Sequence, residues 1–340
     1  LENIEEHLVI EPMTAPQAGD IASDEVVIAV RSVAVGWIDC LMTSGQYQHM
    51  PRLPYCPGLE YSGVITAVGD AVQAERATVG DPVFVDCFTV GPRTSGPYQS
   101  AGGYSSYAVV PASAVRPIPK GYSFDEAANF AGNYETAYHA LVYRARLQAG
   151  ETILIHGASG STGLAAVQIA KHLGAVVIAT GRSEAKLKVV QEQGADHVIC
   201  TGGEDGLRFR DKVKSLTGGQ GVDVVYDGVG GPISEESLRC VRFGARFLLV
   251  GWASTPLVAK GKGGRGAPNV NRLPTNLMLI KGLDVLGCPA VISVQKDPSI
   301  RAQRIKDLTA WAEAGAIRPY ISHVFDLKDA QKALEAKWKG

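Results

Sequence analysis

Residues 152–163, Thr-Ile-Leu-Ile-His-Gly-Ala-Ser-Gly-Ser-Thr-Gly, constrain this chain more than any other stretch. Ile153-Leu154-Ile155 is a short apolar run that reads as a buried strand. It runs into glycines at 157, 160 and 163, and then into a helix-periodic stretch from Leu164 to Leu173. A strand, a tight glycine turn and a helix start gather free backbone N–H groups and a positive dipole end at one point. Such a point cradles phosphate.

The bulk numbers suit small-molecule chemistry. With 340 residues the chain has room for one large domain or two ordinary ones. A net charge of −1 suggests no polyanion-binding surface, so no nucleic-acid partner is expected. No apolar run approaches the ~20 residues of a membrane span, so no membrane association is expected either. The cysteines at 40, 56, 87, 200, 240 and 288 include no CxxC pair. That argues against a structural zinc lobe and a disulfide framework, and for a reducing, cytoplasmic location. The chain opens on Leu1 rather than Met, which leaves a leader and organellar targeting open.

The first ~120 residues read as β-rich, with runs such as Val26–Val30, Val83–Val85 and Tyr107–Val110 between Pro and Gly punctuation. Regular βα alternation follows, with strands expected at 152–156, 175–180, 197–199, 222–227, 246–250 and 283–287. Their continuous Val, Ile and Leu content fits strands covered on both faces, as in a doubly wound parallel sheet of an α/β protein. The helix after the glycine turn places Gln168, Lys171 and His172 on one polar stripe. Further helices are expected at 183–193 and 204–217, and an amphipathic one at 297–314 carries Ile300, Ile305, Leu308 and Trp311. The stretch 253–274 is rich in Gly and Pro, with Lys260, Lys262, Arg265 and Arg272. It reads either as a solvated loop or as a clamp on a phosphorylated acceptor such as an acyl-CoA.

Against the GxGxxG dinucleotide fingerprint, Ala158-Ser159-Gly160-Ser161-Thr162-Gly163 carries Ala at the first glycine position. An NAD site normally has Asp or Glu roughly 20 residues further on, bonding the ribose hydroxyls. Here that stretch is Thr180-Gly181-Arg182-Ser183-Glu184-Ala185-Lys186. With Ser183 as N-cap, Glu184 becomes a first-turn helix residue rather than a ribose ligand. Arg182 and Lys186 then stand where a 2′-phosphate would turn two unfavourable cations into charge-assisted donors. The alternative is a solvated surface pair. The expected cofactor is NADPH, held by Ser159, Gly160, Ser161, Thr162, Gly163, Gly181, Arg182 and Lys186. Gly228, Val229 and Gly251, at the ends of later strands, complete the expected contacts.

Several further stretches carry a resemblance: Ile38-Asp39 followed by Ser44-Gly45-Gln46-Tyr47, Pro57-Gly58-Leu59-Glu60-Tyr61-Ser62-Gly63, Val79-Gly80-Asp81-Pro82-Val83, Gly102-Gly103-Tyr104, Thr136-Ala137-Tyr138-His139-Ala140-Leu141, Gly194-Ala195-Asp196 and Asp227-Gly228-Val229-Gly230-Gly231. With the glycine turn, and in this order, they resemble the zinc-independent quinone oxidoreductase branch of the medium-chain dehydrogenase/reductase superfamily. Pro274-Thr275-Asn276-Leu277, with Lys281 beyond, looks closest to its quinone-oxidoreductase-like proteins. The resemblance implies a discontinuous GroES-like catalytic domain beside a Rossmann domain, NADPH in the cleft, and a homodimer. The expected division is 1–122 with 292–340, and 123–291. It also implies that Thr136 contacts the nicotinamide carboxamide, the alternative being a helix threonine bonded to its own backbone. Zinc-dependent relatives hold their metal with a Cys and a His where this chain has Gly36 and Leu59, so no metal is expected. Other departures are Gly36 where many members have Asn, Leu41 where some have Tyr, and Thr201 in place of a Tyr on the 2′-phosphate. The family begins one strand before Leu1 and ends with a strand after Gly340, so both ends are expected to be missing.

NADPH without metal or flavin implies an activated acceptor: a quinone, an enone or an enoyl thioester. Tyr47 is the candidate for polarising its carbonyl, since a phenol is a neutral donor at pH 7. The alternative is a core tyrosine with a satisfied hydroxyl. Asp39 reads as a structural carboxylate or turn cap rather than a proton donor. A second function class, an NADPH-binding sensor or structural protein without turnover, stays open because Gly36 and Leu41 take polar groups out of the pocket.

Overall fold

The apolar runs form two sheets. In a computed structural model of the chain, residues 4–47, 49–203, 206–254 and 271–340 are described, and they divide into two compact units. One unit holds the chain up to Gly132 together with Pro319–Gly340; the other holds Asn133 to residue 254 and residues 271–318.

The first unit is built on an antiparallel sheet of β1 (Glu25–Val33), β2 (Tyr61–Val68), β3 (Pro82–Val85), β4 (Tyr107–Pro111) and β5 (Val115–Pro117), in the order β4-β1-β2-β3-β5. Val26 and Ile28 of β1 meet Ile65 of β2, Val83 and Val85 of β3 and Val110 of β4 in one core. A short helix, Trp37–Thr43, follows β1 and packs on the C-terminal helix Ala330–Lys339. There Trp37 stacks on Trp338 at 5.2 Å between ring centres, and Cys40 sits with Leu334 in a small cluster.

The second unit carries a parallel sheet of β6 (Thr152–Ile155), β7 (Val176–Gly181), β8 (His197–Cys200), β9 (Val222–Asp227), β10 (Val241–Leu249) and β11 (Asp284–Gly287). Its order, β11-β10-β9-β6-β7-β8, is doubly wound, and the winding reverses between β6 and β9. In such sheets ligands bind outside the carboxyl ends of the strands at that reversal. Every residue of β9 is buried, including Asp223 and Asp227, so its residues show no alternation of buried and exposed faces.

Three elements differ from expectation, each for a tertiary reason. Gln168 is not on a solvated stripe: the Tyr134 hydroxyl and the Arg318 N–H donate to its Oε1 at 2.7 and 2.8 Å, and its Nε2 donates to the Gln193 Oε1 and the Arg318 carbonyl. The helix expected over 204–217 is Arg210–Leu216, because Phe209 is drawn into the core just before it. The helix Ile300–Glu313 turns Arg301, Arg304, Leu308 and Ala312 inward, while Ile300, Ile305 and Trp311 are half-buried. Arg301 grips Glu135 with two bonds of 2.9 and 2.7 Å, which satisfies charges that would otherwise be costly to bury. Arg272 is exposed; Lys260, Lys262 and Arg265 lie outside the described residues. Among the described residues no helix is long and apolar enough to cross a membrane.

Candidate active site

The turn after β6 is made by Gly157, whose φ of +62° a side chain would strain. The left-handed residue therefore stands one place before the fingerprint's first position, and Ala158 there is fully buried. That placement makes the Ala harmless. Gly160 precedes the helix Ser161–His172 and has no side chain to cap it. A Cβ on Gly163 would fall 2.7 Å from the Ala158 Cα, so only glycine lets the helix sit so close to the turn. The first-turn N–H groups thus face an opening flanked by exposed Gly157 and Gly160. The Thr162 hydroxyl donates to the Asn133 Oδ1 at 3.1 Å, so Thr162 offers a phosphate its backbone N–H.

The Ala158 N–H donates to the Thr180 carbonyl at 3.0 Å and fastens this turn to β7. At the end of β7, a Cβ on Gly181 would lie 3.8 Å from the Ser159 hydroxyl oxygen, which puts that hydroxyl beside the strand end. The Ser183 hydroxyl accepts from the Lys186 N–H and caps the helix Glu184–Glu192. Arg182, Glu184 and Lys186 are exposed, and neither cation makes an ion pair among the described residues. The Thr201 hydroxyl donates to the Gly181 carbonyl at 3.2 Å and so steadies the strand end. No carboxylate closes β7 against a ribose, and two cations flank the place a 2′-phosphate would take.

Across the reversal, Asp227 at the end of β9 is fully buried and accepts the N–H groups of Val229 (2.8 Å) and Gly230 (2.9 Å) and the Ser234 hydroxyl. This wraps Gly228–Gly230 into a fixed loop. The Val229 side chain comes within 3.1 Å of where a Cβ on Gly157 would stand, and a Cβ on Gly251 would be 3.1 Å from the Gly228 carbonyl oxygen. The turns after β6, β9 and β10 therefore meet. Beneath them His156 bonds the Thr180 hydroxyl through Nδ1 (2.8 Å) and the Ser237 hydroxyl through Nε2 (2.7 Å). The Ser237 proton is committed to the Ile233 carbonyl at 2.6 Å, so Nε2 must carry the imidazole proton and Nδ1 must accept. Burial holds His156 well below the ordinary imidazole pKa. Thr136, in this same unit, is half-buried on the helix Ala131–Tyr138.

The other unit gathers titratable side chains around Tyr47. After the helix Trp37–Thr43, Gly45 (φ +69°) turns the chain, and the N–H groups of Gln46 and Tyr47 return to the Leu41 carbonyl at 2.7 and 3.1 Å. Tyr47 is half-buried, and its side chain lies near the Arg93 guanidinium. Burial opposes the Arg93 charge, but Cys87, Tyr47 and Glu60 favour it, and the balance leaves its pKa above the ordinary value. Asp39 caps its own helix, accepting from the Gly36 N–H at 2.9 Å, and accepts from the Gly58 N–H at 3.2 Å. Burial pushes it up to about 6 against the opposing N–H groups of Gly36, Gly58 and Leu59 and the Arg93 charge. The phenols of Tyr55 and Tyr104, both beside Asp39, have buried oxygens without hydrogen-bond partners among the described residues, and burial raises their pKa values. Cys40 turns its thiol to the Leu334 carbonyl, and the His49 Nε2 faces the Thr94 carbonyl and Gln99. Among the described residues no three His, Cys, Asp or Glu side chains gather around a common point.

Residues 22–120 match the alcohol dehydrogenase GroES-like domain, and residues 161–291 match the zinc-binding dehydrogenase family. The chain is 32% identical over 330 residues to a quinone oxidoreductase-like protein 2 homolog of Nematostella vectensis, covering 96% of this chain and 82% of that one. It belongs to the quinone oxidoreductase branch of the medium-chain dehydrogenase/reductases. Human quinone oxidoreductase is 30% identical over 311 residues, covering 92% of this chain and 84% of its own. Among solved structures, a mycobacterial protein complexed with NADPH superimposes with a TM-score of 0.75 at 28% identity, over 96% and 90% of the two chains. The CurK enoyl reductase does so with a TM-score of 0.75 at 26% identity, over 97% and 91%.

As a medium-chain dehydrogenase/reductase, the chain pairs the Rossmann sheet of β6–β11 with a GroES-like unit, the fold class expected from its sequence. Gly157 was read from the sequence as a glycine of the turn, whereas Asp227 and Arg93 were given no role there. Asp227 had a signal, an acid at a strand end before Gly-Val-Gly-Gly. Arg93 had none, because it stands in a Gly-Pro loop that reads as surface.

Proposed function

We propose that this chain is an NADPH-dependent reductase of quinones, or of C=C bonds conjugated to a carbonyl, and that it works without zinc or flavin. The observation that carries the reading is the end of β7, where Ser159 adjoins Gly181 and the next residue is Arg182 rather than a carboxylate, with Lys186 in the first turn of the following helix. The turn around Gly157, Gly160 and Gly163 fits a pyrophosphate, with the N–H groups of Ser161, Thr162 and Gly163 as donors. Arg182 and Lys186 hold the 2′-phosphate, Arg182 with its two-pronged fork. Gly228, Val229, Gly251 and Thr136 line the rest of the dinucleotide. Bound there, the cofactor supplies a hydride to the acceptor.

The chain's own part is then electrostatic. Tyr47 donates a hydrogen bond to the acceptor's carbonyl oxygen, which gains negative charge as the hydride arrives. Gly36 and Leu59 offer no metal ligand, which supports a reaction without a Lewis acid. The mycobacterial NADPH complex and the relatives named quinone oxidoreductase and enoyl reductase support the same reading. A homodimer is the assembly that goes with it.

The test follows NADPH oxidation against 1,2- and 1,4-quinones, enones, 2-alkenals and enoyl-CoA esters, with product identification. Hydroquinones would mark a quinone reductase and saturated carbonyls an alkene reductase. Tight NADPH binding without turnover of any acceptor would replace the reductase by a sensor.

A further inference from the structure

Two points of the stretch 253–274 are bonded to one loop, the Gly228–Gly231 turn after β9. At the first, the Ala253 N–H donates to the Gly228 carbonyl at 3.1 Å, and the Ser254 N–H and hydroxyl donate to the Val229 carbonyl at 2.9 and 2.8 Å. At the second, the half-buried Asn271 spans two groups with its carboxamide. Its Oδ1 accepts the Gly231 N–H at 3.1 Å, and its Nδ2 donates to the Ser234 hydroxyl oxygen at 3.2 Å. The Ser234 hydroxyl in turn donates to the Asp227 Oδ2. Every bond in this chain has a fixed direction. Turning the amide over would set its NH2 against the Gly231 N–H, and its oxygen against a hydroxyl whose one proton already belongs to Asp227.

The turn depends on such ties. Gly230 and Gly231 have φ of +80° and +66°, so this stretch of backbone has glycine's freedom and no side chain of its own to hold it. Asp227 takes the N–H groups of Val229 and Gly230, and Asn271 takes that of Gly231. A Cβ on Gly230 would stand 3.2 Å from the Trp252 Cα and 3.5 Å from the Asn271 Nδ2, so the turn runs closely between those two residues. With these polar groups committed, what it presents to the Gly157 turn is the Val229 side chain. We propose that Asn271 is a positioning residue for the dinucleotide: its clasp on Gly231 and Ser234 sets how closely Gly228 and Val229 approach the nucleotide turn at Gly157. This rests on the reading that the chain binds NADPH through those residues. The clasp works after β9, whereas the 2′-phosphate is read after β7, two strands away in the order β9-β6-β7. Asn271 therefore serves NADPH and NADH alike.

The experiment measures the Kd of NADPH by calorimetry, and that of NADH by its displacement of NADPH, on the full chain and on Asn271→Ala, Asn271→Asp and Ser234→Ala. Asn271→Asp keeps the shape and the acceptor for Gly231, but sets an oxygen against the Ser234 oxygen, whose single proton cannot serve two carboxylates. Both Asn271 variants should weaken NADPH and NADH by the same factor, about five- to tenfold for Asn271→Ala and more for Asn271→Asp. Asn271→Ala combined with Ser234→Ala should lose less than the product of the two single losses, because the two changes break one shared bond. Thermal melting shows which variants are folded at the titration temperature, and whichever Asn271 variant is folded carries the test. A folded variant that binds NADPH as tightly as the wild type would overturn the role of Asn271, and so would a loss confined to NADPH. If neither Asn271 variant folds, the residue serves the fold as a whole and the proposal falls. A wild type that binds neither nucleotide would instead overturn the NADPH reading, and the proposal with it.

Discussion

Around the glycine turn the groups offered to a ligand belong to the backbone, whereas around Tyr47 they belong to side chains. At Gly157, Gly160 and Gly163 what matters is that nothing is there: no Cβ to strain a left-handed turn or hold the helix off Ala158. Such a site needs few residues and admits few replacements. At Asp39, Tyr47, Tyr55, Arg93 and Tyr104 the chemistry is set by burial and by mutual charge. Under the proposed function a single exchange there would change the donors an acceptor meets. The cofactor half of that reading is then narrowly determined, and the acceptor half adjustable.

The largest expected effect tests the backbone side of this contrast. Gly163→Val drives its branched side chain into Ala158, and overpacking of this kind costs about 1–3 kcal/mol or more. NADPH affinity by calorimetry should fall beyond detection, and an unchanged affinity would break the account of the turn. Tyr47→Phe tests the side-chain half: turnover should fall on the order of 100-fold with NADPH affinity intact. If Tyr47→Phe instead weakens NADPH binding as much as turnover, the two regions do not divide the work as described. Arg182→Ala removes a charge-assisted contact, so the KM for NADPH should rise by about 10–100-fold and that for NADH little. Equal effects on both nucleotides would show that Arg182 does not read the 2′-phosphate.

The smallest effect concerns stability. The folded-state pKa of Asp39 is raised from 3.8 to about 6, so its ionised form is disfavoured by folding. Stability from this residue is full below pH 3.8, declines as the pH rises toward 6, and stays lost above. Asp39→Asn should abolish that slope: between pH 4.5 and 7 the melting temperature of the variant should gain on the wild type by about 2–6 °C. A constant difference across that range would mean that Asp39 ionises in the fold without penalty.

How much of this was legible follows the same contrast. The strand-turn-helix at 152–172 could be read because its cues are local: an unbroken apolar run, then glycines, then helical periodicity. The capping role of Ser183 was legible for the same reason. The inward turn of Arg301 and Arg304 was not, because it depends on Glu135, more than 160 residues away in the chain. Periodicity instead favoured Ile300, Ile305 and Trp311, which are only half-buried. Gln168 failed likewise, since Tyr134, Gln193 and Arg318 reach it from three separate segments. Tyr47 could be nominated from its motif, but the approach of Arg93 brings together two loops with no periodic pattern in either.

The fixed tautomer of His156 has a consequence for the nucleotide turn above it. Because that ring is sealed as a neutral spacer between Thr180 and Ser237, mild acidification adds no charge beneath the phosphates. Any dependence of the grip on mild acidification should therefore arise from the ligand's own 2′-phosphate, whose second ionisation lies at about pH 6, and not from this ring.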